Sequence, residues 1–281
     1  MKKVNLLSIT AIAAGFVLAS CGGNKYSGEN SEKYVAPADT TPINEAAQYN
    51  FLFTIGNLPS PFQVLEEVSK AELPVNTDLL NSTANAEKYH TSLKLAFNYG
   101  IYGVDLGYLV INSCLPEMVD YYASTRKVAD KLNLAETFDK FGSRFESNSG
   151  NKDSLTKIID EAYGATDSYL KSNERLVSAT EILTGSWLEG QYLTVNLLKD
   201  KDRSEQNEPI YQRIYEQGLH LDNIIKIMDE FKSDKELQSI KKNFDELLEM
   251  YKELHSSKDV TKAYLDKLAA KIAEVRNQII S

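Results

Sequence analysis

Two sets of polar residues with the same spacing lie on the two most apolar segments of this 281-residue chain. Each set has an acid, a tyrosine and an asparagine at positions i, i+3 and i+7, which share one face of a helix. The second set follows the first by 84 residues. The members are Asp105, Tyr108 and Asn112 in the first set, and Glu189, Tyr192 and Asn196 in the second.

Asp105 and Glu189 are the residues of these sets that could do chemistry. A carboxylate among apolar neighbours is costly to bury unless it is paired and hydrogen-bonded. Brought together, the two acids and their neighbours would form a polar pocket for a cation or a small cationic ligand. Alternatively, they form a buried polar network in which an arginine such as Arg126 or Arg175 satisfies the acids. We favour the network, because buried polar groups usually find partners within the protein.

Other reactive residue types are sparse. The histidines are His90, His220 and His255, and only His90 follows an acid, Glu87, by three residues, whereas a di-iron site requires this spacing on two helices. Clustered histidine or cysteine ligands for zinc are absent from the sequence. Cys114 lies between apolar residues and resembles a small buried hydrophobe more than a nucleophile. We therefore expect no catalytic residues, no metal and no cofactor.

Three glycines interrupt the first apolar segment at i, i+3 and i+7: Gly100, Gly103 and Gly107. Each costs a helix about 0.8–1.0 kcal/mol relative to alanine. Either a neighbouring helix approaches closely there, or the glycines leave space for a ligand among the surrounding tyrosines. Close helix packing is the interpretation we favour.

The elements that position these residues are predicted to be helices throughout. No segment alternates apolar and polar residues as a half-buried strand does. Pro61 after Ser60 is typical of a helix start. The main predicted helices cover about 85–112, 116–132, 134–145 (with three phenylalanines on one face), a segment capped by Asp153, 175–198, 209–231, 234–254 and 259–280.

The two polar sets also indicate an internal repeat. Beyond them, Lys127, Asp130 and Phe145 match Lys226, Asp229 and Phe244 at an offset of 99. The sequence thus predicts an all-α bundle of about eight main helices. We expect two pseudo-repeated four-helix units, about 86–172 and 173–281, in one helical domain covering 44–281.

The N-terminal region has the pattern of an export signal. Lys2 and Lys3 precede an apolar run over 6–18, and Leu18-Ala19-Ser20 leads into Cys21. We expect residues 1–20 to be removed. Residues 21–43 are polar and contain glycine and proline, which predicts a flexible tether.

The Leu-Ala-Ser-Cys sequence resembles the lipobox of bacterial lipoproteins. With the polar tether, the Gly- and Tyr-rich helix and the later Gly-Ser-Trp-Leu-Glu-Gly helix, the chain is similar to uncharacterised helical lipoproteins of Bacteroidota. The resemblance implies acylation of Cys21 and an envelope location. Because Gly22 follows the cysteine instead of aspartate, it implies an outer-membrane anchor, with the periplasmic and surface faces both open. It supplies no catalytic residues.

Charge excludes one class of partner. The net charge is −9 and there is no basic run, so binding of nucleic acid through its phosphates is not expected. We predict a non-enzymatic, lipid-anchored helical module that binds a protein partner or scaffolds an envelope assembly. The alternative is a small-ligand- or cation-binding lipoprotein with its site around Asp105 and Glu189. A cavity beside these acids that no Arg or Lys closes would favour the alternative.

Overall fold

The computed structural model describes residues 48–49, 51–52, 61–71 and 73–281, with the side chains of Pro61 and Phe62 left aside. Within 61–281 these residues form ten α-helices and three short 3-10 helices, and the described part of the chain contains no strand. The predicted all-α helical fold is confirmed. The α-helices are α1 (Pro61–Lys70), α2 (Ser92–Ile111), α3 (Leu115–Lys131), α4 (Ala135–Asp139), α5 (Gly142–Ser147), α6 (Lys152–Ser172), α7 (Leu176–Leu198), α8 (Glu208–Glu230), α9 (Lys235–Lys252) and α10 (Lys262–Ile280).

Helices α2 and α7 form the centre of the bundle. Both are apolar on nearly every side and buried along most of their length, as expected of a helix enclosed by others. They are closest where Gly100 faces Ile182 and Gly185 faces Phe97. From Phe97 beside Gly185 to Asp105 beside Glu189, residue numbers increase together on both helices, so the two helices run in the same direction. The predicted close packing is therefore present at Gly100.

The other helices enclose this pair, with α1, α3 and α6 against α2, α8 and α10 against α7, and α9 packed on α8 and α10. The core cluster of the described residues is continuous and extends from Phe51 to Ile279. All described residues belong to one compact unit, Tyr34–Ser281. A protein that begins at Gly22 therefore retains this entire core. Among the described residues, no helix is both long and apolar enough to cross a membrane.

Several predicted helix boundaries were wrong. Helix α2 begins at Ser92, not near Asn85, because the Thr91 hydroxyl accepts a hydrogen bond from the Lys94 amide at 3.2 Å and caps the helix there. A 3-10 helix, Thr83–Glu87, occupies the earlier residues. Helix α6 is capped by Asn151, whose side chain accepts from the Ser154 amide at 3.0 Å, and not by Asp153.

The predicted helix over 134–145 is divided in two. Helix α4 ends at Asp139, and the Phe141 amide then bonds to the Phe138 carbonyl oxygen at 3.1 Å, a three-residue turn that interrupts the helical hydrogen bonding. Helix α5 starts at Gly142, a residue type that favours such interruptions.

The internal repeat stays a prediction. Cys21, the signal peptide over 1–20 and the tether over 21–43 lie outside the described residues.

The glycine contact generates a stability prediction. A Cβ at Gly100 would lie 2.2 Å from the Ile182 carbonyl oxygen, and one at Gly185 would lie 2.1 Å from that of Phe97. Because backbone atoms cannot move aside as a side-chain end can, Gly100→Ala and Gly185→Ala should each destabilise the fold by about 1–3 kcal/mol through overpacking. Urea unfolding of the chain from Gly22 measures this.

Gly103→Ala is the matched control, because an added Cβ there meets nothing within 4 Å outside its own helical turn. Its helix propensity should make this variant equal to or more stable than the native chain, by up to about 1 kcal/mol. Equal effects at Gly100 and Gly103 would contradict the close-packing explanation.

Candidate functional site

The structure brings Asp105 of α2 and Glu189 of α7 together in the core, both with no exposed surface. Their carboxyl groups lie within hydrogen-bonding reach of each other. This follows from the parallel course of α2 and α7, which places residues about one turn beyond the glycine contact on facing sides. Ionising both of two adjacent buried carboxyl groups is costly, so the number of protons that the pair binds determines its charge and its interactions.

Arg276 of α10 neutralises Glu189. Its Nε and Nη2 donate to Oε2 and Oε1 of Glu189 at 2.5 and 2.8 Å, the bidentate geometry of a strong ion pair. Nη2 also donates to the Leu79 carbonyl oxygen at 3.1 Å, and the guanidinium lies 4.1 Å from the centre of the Tyr192 ring. Burial is the largest single influence and would lower the pKa of Arg276, but the charge and hydrogen bonds of Glu189 together with the charge of Asp105 raise it. The arginine therefore stays charged.

The two arginines that we expected to satisfy the acids lie elsewhere. Arg126 faces outward from α3 and forms an exposed bidentate pair with Asp139 at 2.7 and 2.8 Å. Arg175 donates to the Leu132 carbonyl oxygen at 2.9 Å. It precedes Glu189 by about 20 Å along α7, at about 1.5 Å per residue, which its side chain cannot span.

Residues 76–89, here called the 76–89 segment, cover the carboxyl pair from outside. The Asn81 amide donates to Oδ2 of Asp105 at 3.0 Å. The Asn81 side chain donates to the Tyr89 hydroxyl at 3.0 Å and to Oδ1 of Asn98 at 3.2 Å. The Tyr102 hydroxyl donates to the Ser82 carbonyl oxygen at 2.7 Å. Backbone groups of the segment are thus fastened to side chains of the core, which closes the site from that direction.

The surroundings of Asp105 favour its protonated form. Burial, followed by the negative charge of Glu189, raises the pKa of Asp105 well above its usual range, and the opposing charge of Arg276 is too small to reverse this. As an ionised group, Asp105 would leave Oδ1 without a donor among the described residues. As a neutral acid, it donates this proton towards Glu189 while Oδ2 accepts from Asn81. In this neutral form Asp105 links α2 to α7.

The remaining residues of the two sets have separate roles. The Tyr108 hydroxyl accepts from the Asn76 amide at 2.9 Å and holds the start of the 76–89 segment. Asn112 and Asn196 donate to the carbonyl oxygens of Tyr108 and Tyr192, one turn back, each at 2.8 Å. The two asparagines thus satisfy the last turns of their own helices and not the acids.

Sequence reasoning missed three participants: Arg276, Asn81 and Asn98. A signal existed for Arg276, because it occupies the position between Ile272 and Ile279 in the buried stripe of α10. An arginine at such a position needs an anionic partner. Nothing local marked Asn81, whose contribution is mainly a backbone amide.

A second candidate site is an apolar pocket of about 40 Å³ on the other side of α2, around Gly103. Helices α2, α3 and α6 form its base and sides, and the short helices α4 and α5 supply its outer wall. It is lined by Tyr99, Gly103, Leu106, Tyr122, Thr125, Phe138, Phe141, Phe145, Ile158, Ile159, Ala162 and Tyr163. The three phenylalanines predicted to share one face thus do converge, although their helix is divided. Gly103 borders empty space, in contrast to the closely packed Gly100.

A larger cleft of about 640 Å³ lies between α1 and the start of α6. Its charged lining consists of three lysines and three acids, all exposed: Lys70, Lys152, Lys157, Glu66, Asp153 and Asp160. Exposed charges of balanced sign give this cleft little selectivity for a charged ligand. Asp105, Glu189 and Arg276 line neither cleft.

Comparison of the chain with known proteins finds no matching family model, no matching curated protein and no matching solved structure. The described residues also contain no group of three or more His, Cys, Asp or Glu side chains placed to hold a metal ion.

The buried ion pair predicts an unequal response to substitution. Arg276→Met leaves the Glu189 carboxylate buried without its cation and should destabilise the fold by about 3–5 kcal/mol. Arg213→Met is the matched control, since Arg213 and Glu67 form a bidentate pair at 2.7 Å that is partly exposed. It should cost about 1 kcal/mol or less. Similar losses in urea unfolding would show that the buried pair has no special role.

The protonated Asp105 predicts a pH dependence. Because its pKa is raised in the folded chain above about 4 in the unfolded chain, the folded chain binds one more proton between these two values. This contribution to the free energy of unfolding is complete below about pH 4 and is lost as the pH rises towards the folded pKa. Asp105→Asn has no proton to lose and still offers a donor to Glu189 and an acceptor to Asn81.

The Asp105→Asn variant should therefore gain stability relative to the native chain as the pH rises from about 4 towards the folded pKa of Asp105, with a slope of up to one proton. Urea unfolding at each pH measures the difference. Asp153→Asn, at an exposed position of α6, is the control and should show no such trend. A pH-independent difference for Asp105→Asn would mean that Asp105 is ionised in the fold.

Proposed function

We propose that this chain is a lipid-anchored lipoprotein of the cell envelope, held by acylated Cys21, whose helical body acts by binding a protein partner and not by catalysis. The observation that carries the proposal is the closure of the Asp105–Glu189 pair. Glu189 is neutralised by Arg276, and Asp105 is covered by the 76–89 segment. The most reactive buried groups of the described residues are therefore engaged in holding the helices together.

The same observation removes support from a cation or small cationic ligand at this pair. A cation beside Glu189 would have to displace the Arg276 guanidinium, which lies in the core itself. Two oppositely charged groups in bidentate contact leave no net negative charge to attract it. The alternative site around Asp105 and Glu189 is thus disfavoured by electrostatics.

An exposed apolar strip on α3 supports partner binding. Leu115 and Val119, one helical turn apart, are 45% and 62% exposed, and Ala123 continues the same face and is also exposed. Large apolar side chains that stand together on a surface are typical of protein interaction sites. The strip is short, which suits the edge of an interface with a larger partner surface.

An envelope anchor and a partner surface can be tested in the same cells. We expect the native chain to fractionate with outer membranes and to incorporate a fatty-acid label. Cys21→Ser should abolish the label and release the protein from the membrane, because one cysteine carries all the acyl chains. A membrane-bound, unlabelled Cys21→Ser protein would contradict the lipid anchor.

For the partner surface, a photo-crosslinking amino acid at Ala123 should capture a defined protein in the native background. Val119→Glu should abolish this adduct by placing a charge in an apolar contact. The control is Leu219→Glu, at a 64% exposed position of α8, which should leave the adduct intact. Capture that survives Val119→Glu, or no discrete adduct, would count against partner binding through α3.

A further inference from the structure

We propose that the apolar pocket beside Gly103 is a binding site for a small uncharged molecule that inserts the end of an alkyl chain. This goes beyond the partner-binding function and does not depend on it. The pocket is distinct from the carboxyl pair, with which it shares no lining residue.

The walls of the pocket are suited to hydrocarbon. Tyr122 stacks on Phe145 with ring centres 4.4 Å apart and lies 5.0 Å from the Phe138 ring. Leu106, Ile158 and Ile159 complete the interior and are buried. Removing an alkyl group from water into such surroundings is favourable in proportion to the apolar area covered.

Three of the four hydroxyl groups of the lining, those of Tyr99, Tyr163 and Thr125, are already engaged in hydrogen bonds. The Tyr99 hydroxyl and Oγ1 of Thr166 are 3.2 Å apart, and the Tyr163 hydroxyl bonds to Oγ of Ser186 at 3.3 Å. Thr125 donates its hydroxyl hydrogen to the Tyr121 carbonyl oxygen at 2.8 Å. A ligand therefore finds apolar surface inside, and a polar group carried into the pocket would lose its water without gaining a partner.

Gly103 gives the pocket its depth. At Gly100, the absence of a side chain permits the contact between α2 and α7, whereas at Gly103 an added Cβ would meet no atom within 4 Å beyond its own turn. Helix packing thus accounts for the first glycine and leaves the second without a structural reason. Space for a ligand supplies that reason.

A ligand would enter the pocket past α4 and α5, the two short helices that form its outer wall. Helices α4 and α5 have five and six residues, and neither has a side-chain hydrogen bond at its N-cap. Segments with few such contacts open at low free-energy cost. The Arg126–Asp139 and Arg144–Glu161 ion pairs, at 2.7 Å each, join this wall to α3 and α6, and the two charges of each pair balance.

The volume of the pocket and the balanced ion pairs beside it together define the class of ligand. A cavity of about 40 Å³ exceeds what one water needs and is well below the roughly 150 Å³ of a cavity that takes benzene. It therefore receives the last carbons of a chain and not a buried ring. No charged residue lines the pocket and the ion pairs beside it are balanced, so nothing there selects a charged head group.

The test uses 1-hexanol as the probe and the chain from Gly22, with ¹³C-labelled methyl groups followed by NMR. We expect saturable shifts at Ile158, Ile159 and Leu106. The diol 1,6-hexanediol has the same length but a hydroxyl at both ends, and should bind about ten-fold more weakly or not at all. Equal binding of the two alcohols, or no shift at the pocket methyl groups, would overturn the proposal.

Filling the pocket from within provides the matched variants. Gly103→Leu should abolish the 1-hexanol shifts, and Gly103→Ala, which keeps the fold if the larger side chain does not, should weaken binding several-fold. Gly164→Ala on α6 is the control, because its added Cβ also meets nothing within 4 Å while Gly164 lies outside the lining. Binding that is unchanged in both Gly103 variants would locate the ligand elsewhere and refute the assignment.

Discussion

The ion pair between Glu189 and Arg276 is the contact on which the arrangement of the central helices depends. Enclosing two opposite charges is expensive unless their geometry is good and their other polar atoms are satisfied. Here Arg276 also reaches the Leu79 carbonyl oxygen and the Tyr192 ring, so both conditions hold. One guanidinium thereby sets the register between α7, α10 and the 76–89 segment. Displacing any of these elements would leave a charged side chain unpaired among apolar neighbours.

The neutral form of Asp105 completes this arrangement. Apolar contact alone allows two helices to slide or rotate with little penalty, but a buried hydrogen bond tolerates only one register. Asp105 links α2 to Glu189 through its proton and to the 76–89 segment through the Asn81 amide. The carboxyl group of Asp105, a group of the kind that binds cations, thus has a structural role. We propose that recognition falls instead to the surface of α3 and to the pocket on the far side of α2.

The sequence predicted the core of the site in part. The spacing of Asp105 and Glu189 on two apolar helices indicated that a polar network would form, and the structure places these two acids side by side. The arginine was assigned wrongly: Arg126 and Arg175 lie elsewhere, and the cation is Arg276, which is 87 residues from Glu189 in the sequence. Likewise, the three glycines had one expected role, yet Gly100 lies at a helix contact and Gly103 beside empty space.

By itself the sequence determined the helical class and which helices are buried, because apolar periodicity and N-cap chemistry act within one or two turns. It also carries the expectation of a lipid anchor at Cys21, which rests on residues outside the described structure. Only the tertiary structure decided that Arg276 neutralises Glu189, that a backbone amide of Asn81 supports Asp105, and that a pocket opens at Gly103. These depend on which distant helix faces arrive at the same point. Local periodicity carries no information about that choice, since many pairings bury the same apolar area.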